Sequence, residues 1–289
     1  MKIVTDMPLD EYHASDRLST SKLKTFADLG PMAYKARHLT AENKQQPTTA
    51  MLLGQAFEDL VQLSADAFRA KWVEAPTIEG KADDTLLAEA LAIGCTNDGA
   101  PWTKRHDAKT VHLAMLRARG VNVLSRGDGV TIERMAESVA RNADAQAVIK
   151  GAATQVSLID DWALEILPGI QARPDWYHEG GSTVDLKSTS DFTGYDRAIL
   201  NLHAHSQAAI IDQIAGRAER VLIVCENEWP FRCQVIDLSR DWLDAGQVWV
   251  DTQIAGLRVC YERDEWPLCA TRRVSNPPAW LVRKTDADW

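Results

Sequence analysis

Apolar residues recur at helical spacing in the first third of the chain. Leu23, Phe26 and Ala27 follow a possible cap at Ser19, Thr20 or Ser21. Gly30-Pro31 breaks that run and residues 32–38 resume it, so residues 19–39 read as a helix pair. A polar stretch, 42–49, leads into a second helix over 50–63, with Leu53, Ala56, Phe57 and Leu60 along its apolar face. Residues 76–128 carry turn signals at Glu79-Gly80 and Asn97-Asp98-Gly99, with helices expected near 82–93 and 103–119. Residues 128–150 read as one long amphipathic helix. The pattern changes after Gly151, where 156–159, 162–167 and 182–187 are short, β-rich and separated by turn residues. Helices near 192–202 and 205–215 follow, the second stopped by Gly216. Next come strands at 221–226 and 232–238 and a helix over 241–260. The remainder, from Asp264, is rich in Trp and Pro and is expected on the surface. This order predicts a mixed α/β fold. It would have a helical part over 1–150, a strand-rich core over 151–260 and a tail over 261–289, and with no repeat or low-complexity tract between them these are expected to pack as one compact domain.

Composition narrows the class. With 289 residues, 45% hydrophobic and 25% charged, the chain can bury a core without staples. Its five cysteines, Cys95, Cys225, Cys233, Cys260 and Cys269, form no CxxC pair. That spacing argues against a zinc ribbon or a disulfide scaffold and suits a reducing cytoplasm. The first residues hold no apolar stretch of signal-peptide type, and runs such as 221–225 are too short to cross a bilayer, so no membrane association is expected. The net charge of −9 runs against the basic balance of many nucleic-acid binders. A nucleic-acid enzyme of this charge needs its basic residues gathered along one groove and a divalent metal to neutralise its carboxylates.

The candidate chemistry lies in Arg173-Pro174-Asp175 and, ten residues on, Asp185-Leu186-Lys187. On a strand, residues i and i+2 share a face, so Asp185 and Lys187 project together with the Leu186 carbonyl between them. Carboxylate and carbonyl oxygens suit a hard cation such as magnesium. A lysine beside it can position or deprotonate a water and offset charge on a phosphate. Asp175 must join from the preceding strand. A two-residue Gly180-Gly181 turn would set Trp176 opposite Asp185 and turn Asp175 away. A three-residue loop, Glu179-Gly180-Gly181, instead pairs Asp175 with Asp185 and sets Arg173 opposite Lys187, with Gly181 supplying a positive φ.

This motif resembles the PD-(D/E)XK nuclease superfamily. The wider runs 171–176, 184–189 and 206–209, with 18–23, Gly30-Pro31, Tyr34-Lys35 and 54–58, resemble its RecE-type branch, the phage exonucleases related to lambda exonuclease. The resemblance covers roughly 17–260 and is patchy over 70–130. It implies a restriction-endonuclease-like core, a central mixed sheet flanked by helices with an N-terminal helical arm. It implies that Asp175, Asp185, the Leu186 carbonyl and Glu58 hold Mg²⁺, for which Mn²⁺ can substitute. Lys187 would be the catalytic lysine, and Gln207 the glutamine of the helix after the catalytic strand. Glu58 stands where this branch usually has histidine, Ile211 where a tyrosine often stands, and Gln155 where glutamate often stands. The resemblance further implies 5′→3′ degradation of linear double-stranded DNA, leaving 3′ single strands for a RecT-like annealing protein. A ring-shaped homo-oligomer, trimer or tetramer, and a phage or prophage origin in the cytoplasm of a bacterial host come with it.

Other residues carry open alternatives. Arg173 either contacts phosphate or pairs with a nearby acid. Lys104, Arg105 and Lys109, with Arg117, Arg119 and Arg126, either line a DNA path or form a solvated helix face. His203 and His205 read as capping or packing residues, and Trp266, Trp280 and Trp289 as cover for a core or a contact between copies. An endonuclease of the same fold and a non-catalytic DNA-binding phage protein remain the competing functions. No recognition module favours the first, and the complete Asp175–Asp185–Lys187 set disfavours the second.

Overall fold

The computed structural model describes residues 1–42, 47–161 and 166–268. The chain opens with a short strand, β1 (Lys2–Val4), and helices α1 (Leu9–Ala14) and α2 (Thr20–Leu29). Gly30, at φ +87°, ends α2, and Pro31 at the first position of α3 (Pro31–Tyr34) starts the next turn, which runs on as a π turn over Lys35–Leu39. Then come α4 (Thr49–Gln62), α5 (Ala65–Lys71), β2 (Trp72–Glu74), α6 (Asp84–Ala92), α7 (Ala108–Ala118) and β3 (Asn122–Leu124).

The single long helix expected over 128–150 is two helices, α8 (Arg126–Arg141) and α9 (Ala143–Ile149). Asn142 divides them: its backbone is extended, its Oδ1 accepts from the Ala145 N–H at 2.9 Å and its Nδ2 donates to the Cys233 carbonyl at 3.0 Å. A side chain that caps a new helix while bonding a strand outweighs the gain from one more continuous turn.

The strand-rich part follows: β4 (Ala153–Thr154), β5 (Ser157–Asp160), β6 (Ile170–Ala172), β7 (Trp176–Tyr177) and β8 (Thr183–Thr189). Helices α10 (Tyr195–Asn201) and α11 (Ala204–Ala215), strands β9 (Arg220–Glu226) and β10 (Cys233–Asp237), and α12 (Arg240–Arg263) complete it. Of the strand expected over 162–167, residues 162–165 lie outside the described residues; the partner of β5 is β6, further along. Cys269, Trp280 and Trp289 also lie outside them. Trp266 is buried and stacks on Tyr34 with ring centroids 6.0 Å apart, so this part of the tail belongs to the core.

The larger sheet runs β10-β9-β8-β7-β4, with β8 and β9 parallel and the other pairs antiparallel. A smaller sheet runs β1-β5-β6. The architecture is thus mixed α/β, with helices on both faces of a central mixed sheet. Alternation along β8 decides what each face does. Val184 and Leu186 join Phe57, Ile132, Met135 and Ile223 in a core under α4 and α8. Asp185 and Lys187 take the other face, where Leu222 and Val224 pack with Tyr195, Ala204 and Ala208 of α10 and α11. A third cluster joins Leu18 and Leu23 to Leu158, Ile210, Val250 and Leu257, which ties α2, α11 and α12 to the smaller sheet. Among the described residues no helix is long and apolar enough to cross a membrane.

Candidate active site

The hairpin before β8 has the three-residue loop its sequence requires. His178 and Ser182 close it, the His178 N–H donating to the Ser182 carbonyl at 2.9 Å, and Gly181 takes φ +91°. Trp176 then pairs with Val184. Continued by one step, that register sets Asp175 beside Asp185, and Asp175 Oδ2 accepts from the Leu186 N–H at 2.6 Å. In a strand the N–H and C=O of one residue leave by the same edge, so the Leu186 carbonyl also faces Asp175.

The expected opposition of Arg173 and Lys187 is not formed. The β7 ladder ends at Trp176, because Pro174 has no N–H to continue it and the chain bends there towards β6. Arg173 turns its guanidinium to the Met7 carbonyl (2.8 Å), Ser157 Oγ (3.3 Å) and Gln155 Oε1 (2.6 Å).

Asp185 is 4% exposed. A carboxylate so buried must be paired. Gln207 of α11 donates from Nε2 to Asp185 Oδ1 at 2.8 Å and accepts at Oε1 from Lys187 Nζ at 3.3 Å. Lys187 Nζ is itself 3.7 Å from Asp185 Oδ1. The two partners fix the orientation of the amide: an ionised carboxylate only accepts and an ammonium only donates. Burial alone would lower the pKa of Lys187, but the Asp185 and Asp175 carboxylates outweigh it and hold the lysine above its ordinary value.

Glu58 enters from α4. Its Oε1 accepts from Gln62 Nε2 and from Gln155 Nε2, each at 3.3 Å. Its pKa is raised by burial, against the pull of Lys187 and with the help of the Asp59 and Asp185 charges. Asp175 stands well above the usual carboxylate range, through burial first and then the negative charges of Glu58 and Asp185. Asp59, the acid next to Glu58, is already satisfied by Lys71 and the Trp72 indole N–H, each at 2.7 Å.

A cavity of about 560 Å³ lies beside these groups. Glu58, Asp175, Gln207, Arg173, Gln155, Tyr12 and His13 are among its lining residues. Asp185 and Lys187 do not line it and connect to it through Gln207. Lys104, Arg105 and Lys109 are not brought to this cavity. Lys104 pairs with Asp84 at 2.7 Å, and Lys109 and Arg126 line a separate groove with Glu74 and Glu79. His203 stands at the N-cap position of α11 in a left-handed backbone, without a capping side-chain hydrogen bond and with its ring centroid 4.5 Å from that of Trp249, and the buried His205 meets the Ile199 carbonyl at 3.2 Å through Nδ1.

The carboxylates of Glu58, Asp175 and Asp185 place more negative charge at one spot than Lys187 balances. Carboxylate oxygens of this kind are the donors a hard divalent cation takes. As they stand, no group of three or more acidic, His or Cys side chains among the described residues is gathered into a coordination shell. Each is engaged elsewhere: Asp185 by Gln207, Asp175 by the Leu186 N–H and Glu58 by two glutamines. These are the side chains that could hold a divalent cation, and doing so would require them to leave these partners.

Sequence reasoning passed over Gln62 and Tyr195. Gln62 was legible, one helical turn beyond Glu58. Tyr195 has no local signal. Its hydroxyl is buried without a hydrogen-bond partner, and its pKa is pushed up to about 12 by burial, against the charge of Lys187 and with that of Asp185.

A family described as "PDDEXK-like domain of unknown function (DUF3799)" matches residues 19–272. No curated protein matches the chain. Among solved structures, a candidate exonuclease from Eubacterium rectale superposes with a TM-score of 0.59 at 14% identity, covering 99% of this chain and 100% of its own. At that identity the likeness speaks for the fold. An alkaline exonuclease from Laribacter hongkongensis matches at a TM-score of 0.30 and 15% identity, over 71% of this chain and 98% of its own, which is too distant to carry weight.

Proposed function

Since the chain belongs to the PDDEXK-like family and has its nuclease-type fold, we propose that it is a metal-dependent deoxyribonuclease acting on linear double-stranded DNA from its ends. The observation that carries this reading is that Glu58 and Asp175 line one cavity while Asp185 and Lys187, just behind it, are joined to its wall by a single amide, Gln207. End-directed cutting is favoured by the sequence resemblance to RecE-type enzymes and by the name of the Eubacterium rectale protein.

In this reading Asp175, Asp185, the Leu186 carbonyl and Glu58 would hold Mg²⁺, which when bound would supply Lewis acidity towards a water and the phosphate. Lys187 orients that water or takes its proton, once substrate has altered its surroundings. While the neighbouring carboxylates raise its pKa, the lysine is a cation suited to steadying the phosphate. Gln207 keeps Lys187 and Asp185 in register. The reading extends to 5′→3′ polarity, a single-strand-annealing protein as partner and a ring of three or four copies.

The test is digestion of linear and covalently closed circular duplex DNA with Mg²⁺ or EDTA, beside Lys187→Ala. Magnesium-dependent loss of the linear form alone, absent in the variant, is the expected result. Cutting of the circle would replace it with the endonuclease reading, and no cutting of either form would refute catalysis.

A further inference from the structure

Two crossing points between the sheets face one another beside the cavity. The chain passes from β4, in the larger sheet, to β5, in the smaller one, through Gln155. It returns from β6 to β7 through Arg173, Pro174 and Asp175. Both ladders keep one register, Thr154 with Trp176 and Leu158 with Ala172, so through the bend Gln155 falls opposite Asp175 and Ser157 opposite Arg173. Gln155 adopts φ +58°, a left-handed backbone uncommon for a residue with a side chain. Such an outlier at the rim of a site invites a functional reading.

Its side chain gives that reading content. Arg173 Nη2 donates to Gln155 Oε1 at 2.6 Å, and Gln155 Nε2 donates to Gln62 Oε1 at 2.8 Å and to Glu58 Oε1 at 3.3 Å. Gln62 Nε2 donates in turn to Glu58 Oε1 and to the Asp175 carbonyl, each at 3.3 Å. The direction of this chain is forced. A guanidinium has donors and no acceptor, so Gln155 must turn its oxygen to Arg173 and its NH₂ towards Gln62 and Glu58. That leaves the Gln62 oxygen to accept and its NH₂ to reach the carboxylate. Two amide dipoles therefore align from a fixed cation to Glu58.

We propose that Arg173, Gln155 and Gln62 form a one-directional relay that positions Glu58 for the metal, with Arg173 anchoring the relay. This rests on the nuclease reading above and deepens it. The relay engages Glu58 Oε1 with neutral donors and makes no use of Oε2. Gln62 also holds the backbone carbonyl of Asp175, so both acids outside β8 are reached by its side-chain amide. Arg173, held by Met7, Ser157 and Gln155, acts in this relay as a positioning residue.

A double-mutant cycle read by calorimetric titration with Mn²⁺ tests this in the full-length protein. Gln155→Met removes the relay's donor at similar length, and Gln62→Met breaks it from the helix side. Each is expected to weaken Mn²⁺ binding about tenfold, as loss of a group supporting a ligand does. In a Glu58→Ala background Gln155→Met should add nothing, and Gln62→Met should add less than it costs in the wild type, since only its hold on the Asp175 carbonyl then remains. Full affinity in both glutamine variants, or an equal further loss without Glu58, would overturn the relay. A wild type that neither binds Mn²⁺ nor cuts DNA would instead defeat the nuclease reading. The relay would then be judged by the side-chain amide NMR signals of Gln62: shifts on Gln155→Met and on Glu58→Ala support it, and unchanged signals refute it.

Discussion

Arg220→Met should destabilise the fold and loosen the catalytic hairpin together. Arg220 opens β9 with a side chain only 1% exposed. Its Nε lies 2.9 Å from Asp212 Oδ1, its Nη1 donates to the Gly181 carbonyl at 2.6 Å and its Nη2 donates to the Gly216 carbonyl at 2.8 Å. One guanidinium thus joins the turn that sets the Asp175–Asp185 register to the end of the helix that carries Gln207. Methionine keeps the stem and removes every donor. Breaking a buried ion pair from one side costs about 3–5 kcal/mol. Arg240 still reaches Asp212 at 2.7 Å, which points to the lower end, about 3 kcal/mol. For a chain of this size that is a fall in melting temperature of roughly 5 °C. Urea unfolding of the metal-free protein measures it, with Arg240→Met as the control, since that side chain is 40% exposed and its loss should cost less. A loss below about 1 kcal/mol for Arg220→Met, or one no larger than for Arg240→Met, would refute the reasoning.

Asp175→Asn should stabilise the metal-free protein at neutral pH. The pKa of Asp175 is raised on folding, so its contribution is present below the unfolded value of about 3.9 and is lost as pH rises through the folded value. The variant's advantage in urea unfolding with EDTA should therefore grow with rising pH, and added Mg²⁺ should reverse the order; an advantage that shrinks with rising pH would contradict this. Gly181→Ala should cost about 1–2 kcal/mol through the backbone alone. The added Cβ would meet Ala218 Cβ at an ordinary 3.6 Å, so an unchanged urea midpoint would show that φ +91° is not required.

The hairpin was legible because β-strand parity is unforgiving: a loop one residue shorter would have put Asp175 on the wrong face, and Gly181 marks where the chain needs a positive φ. The helices over 50–63 and 205–215 were legible from long apolar stripes, and their true bounds, Thr49–Gln62 and Ala204–Ala215, differ by a residue. The break at Asn142 was harder, because the amphipathic period runs through it and the decisive bond goes to Cys233 in a strand 91 residues away. The extension of the Arg173–Lys187 pairing failed for a related reason. Pro174 ends the ladder, and the chain bends to a second sheet that local periodicity does not reveal. Tyr195 and the glutamine relay depend on packing between distant segments. Gln155 stood out in sequence only as a departure from a pattern, with nothing to show that it faces Glu58.

The central claim is that Asp175, Asp185, Glu58 and the Leu186 carbonyl form a divalent-metal centre next to Lys187. Anomalous X-ray diffraction from crystals soaked in Mn²⁺ tests it most directly. The account expects a peak between the Asp175 and Asp185 carboxylates, at a bonding distance of about 2.0–2.3 Å, with Glu58 turned towards it and the peak lost in Asp185→Asn. A well-ordered site with no peak there, or one left in place by that substitution, would contradict it.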